Sequence, residues 1–94
     1  MDTLILDIGG DIGALVIHTG PQHCEREIEI SPGAGSDTPR SHNVVHARHN
    51  RERTAYTAVV PSVPAGDYTV WHPDGSPHAT VTVHGGQVSQ LQLT

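Results

Sequence analysis

Ten glycines and seven prolines break this 94-residue chain at intervals of a few residues, and apolar residues alternate with polar ones between the breaks. A helix interior loses about 1 kcal/mol for each Gly and about 3 kcal/mol for each Pro, so long helices have little room. Short strands fit better, because successive side chains point to opposite faces. Ala79-Thr80-Val81-Thr82-Val83-His84 alternates without error, with Ala79, Val81 and Val83 on one face. Arg26 to Ser31 does the same, with Ile28 and Ile30 opposed to Glu27 and Glu29. Pro61 to Trp71 reads as a turn feeding a strand. Pro64 and Ala65-Gly66-Asp67 supply the turn; Tyr68 and Val70 then face one way, Thr69 and Trp71 the other.

The remaining stretches extend the pattern. Leu4-Ile5-Leu6 reads as a short strand and Ile12 to His18 as another, Gly13 allowing a bulge or a close neighbour. Thr19 to Gln22 is a turn, and Ser31 to Arg40 a polar loop. Two readings of Arg40 to Val60 stand. In one, Val44–Arg48 and Thr54–Val60 form a hairpin, favoured by Val44-Val45 and the Thr, Tyr and Val residues downstream. In the other, Ser41 caps a helix reaching about Arg53. Pro73 to Pro77 turns the chain, and Gly85-Gly86 leads into a last strand, Val88 to Leu93. The sum is an all-β, antiparallel sandwich or small barrel of seven or eight strands, one domain spanning residues 1–94.

The core of such a domain must be aliphatic. The chain has no Phe, one Trp and two Tyr, against ten Val, six Ile and five Leu. A domain of this size buries roughly 60–65% of its unfolded surface, so the filling is thin. The formal net charge is −5 and no basic block exists, which argues against nucleic acid or an anionic membrane as partner. The N-terminal apolar stretch, cut by Asp and Gly and ended by His18, is too short for a membrane span and lacks the basic start of a signal peptide. Cys24 is the single cysteine, so no internal disulfide forms. The expectation from these features is a cytoplasmic protein.

From Thr54 onward the chain resembles the prealbumin-like β-sandwiches, which include transthyretin-like, collagen-adhesin B-type and carboxypeptidase regulatory-like domains. The resemblance is carried by Tyr56-Thr57-Ala58-Val59-Val60-Pro61-Ser62-Val63-Pro64-Ala65-Gly66-Asp67-Tyr68-Thr69-Val70, by Ala79 to Val83, and by the Gly85-Gly86-Gln87-Val88 turn. It implies the fold and a binding, stalk or regulatory role. The isopeptide crosslink of some members needs a Lys, and this chain has none. The hydroxyisourate hydrolases similar to this group end in Tyr-Arg-Gly-Ser and use a His near the first strand. Here the chain ends Leu91-Gln92-Leu93-Thr94, and Leu4 to Asp7 holds no His, so that activity does not transfer.

Leu4 to Leu15, with its Asp-x-Gly-Gly core, is similar to the phosphate loops of Rossmann-type methyltransferases and of sugar kinases. Both need a following helix and a parallel sheet, which the break at Gly20-Pro21 denies. The eight histidines offer more. His18 and His23 flank a turn and would lie about 5 Å apart at Cβ if they closed a hairpin. His42, His46 and His49 share one face only on a helix. His72 and His78 flank a third turn. The expectation is a non-enzymatic interaction module without a cofactor, its partner unidentified, using an edge strand or Arg40–Arg53, and able to pair as a homodimer. One alternative is an accessory protein binding zinc, nickel or copper through His18, His23, His42, His46 or His49. Another is a small hydrolase on the same fold.

Overall fold

The computed structural model describes residues 8–33 and 40–93. They form two four-stranded sheets packed face to face, so the all-β sandwich is the observed architecture. The strands are β1 (Ile12–Thr19), β2 (Glu27–Pro32), β3 (Ser41–Val44), β4 (His46–His49), β5 (Thr54–Pro64), β6 (Gly66–Trp71), β7 (Pro77–Val83) and β8 (Val88–Gln92). One sheet has the order β4-β5-β1-β8 and the other β3-β2-β6-β7. The expected strand over Leu4–Leu6 lies outside the described residues, as does most of the expected loop before Arg40. Among the described residues, no helix is long and apolar enough to cross a membrane.

The alternation read from the sequence sets the inner faces. Leu15, Ile17, Ala58 and Val60 of one sheet meet Ile28, Ile30, Tyr68, Val70 and Val83 of the other, with Val45, Val63 and Leu93 filling between. Glu27 and Glu29 point outward opposite Val44 and His42, as the period of two requires. Fully burying one Val, Leu or Ile side chain contributes about 1.5–3 kcal/mol, so the ten of them in this cluster carry most of the fold.

Four features differ from the sequence reading. All sheet pairings are antiparallel except β1 with β8, which run parallel. The segment after Arg40 is extended, not helical, and its β4–β5 hairpin forms; yet Val45 divides Val44–Arg48 between two strands in different sheets. The strand expected to stop at Val60 continues through Pro61 and Pro64. It can do so because β5 spends three residues from Val60 to Val63 where β1 spends two from Gly13 to Leu15, a bulge that accommodates proline. Finally, Thr19–Gln22 does not close a hairpin, because β1 and β2 belong to opposite sheets; a 3-10 turn over Pro21–His23 carries the chain across.

Gly13 meets its expected role. A Cβ there would lie 2.6 Å from Val83 Cγ1 and against the His84 carbonyl. The glycine-rich start is thus a packing device: Gly9 and Ile12 exchange two backbone hydrogen bonds of 2.9 Å around a tight turn into β1, and a strand follows where a nucleotide fold needs a helix.

Candidate functional site

The segment 41–49 pairs first with β2 in one sheet and then with β5 in the other. The crossing residue, Val45, is fully buried. Its N–H donates to the Arg26 carbonyl (2.9 Å) and its carbonyl accepts from the Glu25 N–H (2.8 Å). Because each half of the segment closes only one sheet, each leaves the seam beside the other half open. Beside β4 the seam is polar, lined by Glu25, His46, Arg48 and His49. Beside β3 it is a cavity of about 370 Å³ floored by Ile30, Val60, Val63 and Tyr68 and rimmed by Ser41, Asn43 and Ser62.

That second seam borders unpaired backbone. Ala14 N–H donates to Gln87 O and His18 O accepts from Leu93 N–H, so these positions of β1 turn their backbone groups toward β8. Leu15 and Ile17 therefore turn theirs toward β5, bonding their partners Val60 and Ala58. Val59 between them faces the opposite way, in the direction of β4. The β4–β5 ladder ends at His46 opposite Thr57, so among the described residues no strand meets Val59 on that side. Tyr68 closes the floor of the cavity. Its hydroxyl donates to the Pro64 carbonyl at 2.5 Å, and burial pushes the phenol above its ordinary 10.0. The phenol is thus a neutral wall.

The histidines singled out in the sequence are spread over the molecule. His18 bonds Gln90 through Nε2 (2.8 Å), on the outer face of the first sheet. His23 lies on the 3-10 turn with a buried Nδ1 that has no hydrogen-bond partner. His42 Nδ1 bonds Glu27 at 2.9 Å, and His49 Nδ1 meets the Thr54 hydroxyl at 2.9 Å. His46 lies in the polar seam. Among the described residues no three His, Cys, Asp or Glu side chains gather closely enough to hold a metal ion. His72 and His78 do come together, their rings 4.9 Å apart and edge to face across the β6–β7 turn. Asp74 at that turn accepts from the Ser76 hydroxyl (2.6 Å) and N–H (2.8 Å), which hold its carboxyl below the usual range.

A cluster that sequence reasoning missed covers the outer face of the second sheet. The Arg40 guanidinium lies 3.6 Å from the centre of the Trp71 ring and pairs with Glu29 at 3.0 Å. The Trp71 indole N–H donates to the Ser31 hydroxyl at 2.9 Å. Trp71 was placed on this face by the alternation, but its cover is 31 positions away in sequence. The cluster is internally satisfied and is a structural patch. The chain matches no known family model, no curated protein and no solved structure.

Proposed function

We propose that this domain is a non-enzymatic binding module that takes an extended segment of a partner chain along the outer half of β5. The observation supporting it is Val59: among the described residues its outer backbone edge has no strand partner, and it lies beside a cavity of about 370 Å³ with an apolar floor. A segment added there continues the position of β4, bonds the Val59 edge and lowers apolar side chains into the seam. Pro61 offers no N–H, so the added strand is short and its side chains supply most of the affinity. Seating one large apolar residue contributes about 1.5–3 kcal/mol. A second copy of the chain is one source of the segment, which makes a homodimer part of the proposal. Two sheets of four strands, together with the Tyr56–Val70 pattern, support kinship with the prealbumin-like sandwiches. Cys24 is free, which suits a reducing compartment and supports a cytoplasmic setting.

Sedimentation of the 10.0 kDa chain over a wide concentration range tests the reading. We expect self-association that Ser62→Arg, an exposed change at the rim, removes without unfolding the domain. A strict monomer whose Val59 and Val63 amide resonances ignore an added apolar extended peptide contradicts it.

A further inference from the structure

We propose that the cleft where β1 ends and β5 begins binds a small organic carboxylate with an apolar body, independently of the β5 edge. The cleft measures about 310 Å³, and Arg53, His18, Tyr56 and Gln92 supply its polar wall. That volume falls at the small end of the range for small-molecule sites, about 300–1,000 Å³.

Charge is the first argument. The chain carries ten acidic residues against five basic ones, yet among the described residues no Asp or Glu lines this cleft. The polar seam contains Glu25, and the cleft beside His72 contains Asp74. Among the described residues, the Arg53 guanidinium has no ion-pair or hydrogen-bond partner, and neither does the Tyr56 hydroxyl. An unpaired guanidinium presents a planar fork matched to a carboxylate.

Preorganisation is the second. The Asn50 side-chain oxygen accepts both the Glu52 and Arg53 N–H groups at 2.9 Å, and Asn50 N–H donates to the Arg53 carbonyl at 3.1 Å. The backbone that carries the guanidinium is therefore fixed before a ligand arrives. The Tyr56 ring packs against the core, which holds its hydroxyl end in place as well.

The rest of the wall selects among anions. Pro21, Ala55 and the Tyr56 ring offer apolar surface. A phosphate dianion needs more neutralising charge than one guanidinium supplies, whereas a monoanionic carboxylate with a flat or alkyl body uses both the fork and the apolar wall.

Heteronuclear NMR titration with benzoate, with inorganic phosphate as the second arm, tests the assignment. Benzoate should bind saturably with a Kd of about 1 mM, moving the Ala55, Tyr56 and Arg53 resonances. Arg53→Gln should weaken it at least tenfold and Tyr56→Phe severalfold. Arg51→Gln, on the same loop but outside the cleft, should leave it unchanged, as should Ser62→Arg at the β5 edge. Absence of saturation in the wild type, equal loss in Arg51→Gln and Arg53→Gln, or phosphate binding tighter than benzoate would overturn the assignment.

Discussion

On one long side of the sandwich run β7 and β8, the last strands of their two sheets; on the other run β3, β4 and the outer half of β5. The first side is braced. Ser89 Oγ donates to the Thr82 carbonyl at 3.0 Å, and His78 Nε2 meets the Gln92 carbonyl at 3.1 Å, so each edge engages a backbone group of the other. The second side is divided at Val45, and each half of its strand leaves a seam. Both sides solve the edge problem of a small sandwich. The braced side uses side chains of its own neighbour. The divided side uses a proline at 61 and short strands, which discourages long pairing but, among the described residues, leaves the outer edge of Val59 and an apolar slot uncovered.

The largest single loss should come where β1 packs against the braced side. Gly13→Ala sets a methyl group against Val83 and the His84 backbone, which cannot yield cheaply, and should lower stability by about 3 kcal/mol in denaturant unfolding. Val45→Ala empties the pivot of the divided side. It should cost about 2 kcal/mol, by loss of two buried methyl groups and the space they leave, and should raise amide exchange in both seams. Equal losses from these two changes would erase the contrast. Ser89→Ala removes one edge brace and should cost about 1 kcal/mol by thermal unfolding.

Tyr68 gives the contrast a pH signature. Its phenol has a raised pKa in the folded state, so its contribution is fully present below its ordinary 10.0 and is lost as pH rises through the higher folded value. Wild-type stability should fall across that alkaline window, and Tyr68→Phe should flatten this part of the curve. A curve for Tyr68→Phe that parallels the wild type above pH 10.0 would mean that the cavity floor is wet.

Much of the fold was legible because it is local. Ile28/Ile30 against Glu27/Glu29, and Ala79/Val81/Val83 against their threonines, assign faces from neighbours two positions apart. Gly13 was readable because a strand tolerates glycine where something approaches closely. Val45 was not. An apolar pair such as Val44-Val45 reads as continuous strand, and the change of sheet is fixed by Glu25 and Arg26, residues far back in the chain. Pro61 read as a stop because the bulge and the missing outer partner are set by β1 and β4. The parallel β1–β8 pair joins the two ends of the described chain, and the Arg40 cover of Trp71 also depends on distant sequence. The candidate seam inherits this: its walls come from β2, β3, β5 and β6, and no short motif contains them.

Hydrogen exchange at two neighbouring β5 amides tests the central claim most directly. In dilute protein, Thr57, which faces β4, should be protected, while Val59, facing the open side, should exchange close to the rate of an unfolded chain. Protection at Val59 equal to that at Thr57, in a monomeric sample, would mean that the edge is already occupied and would contradict the account.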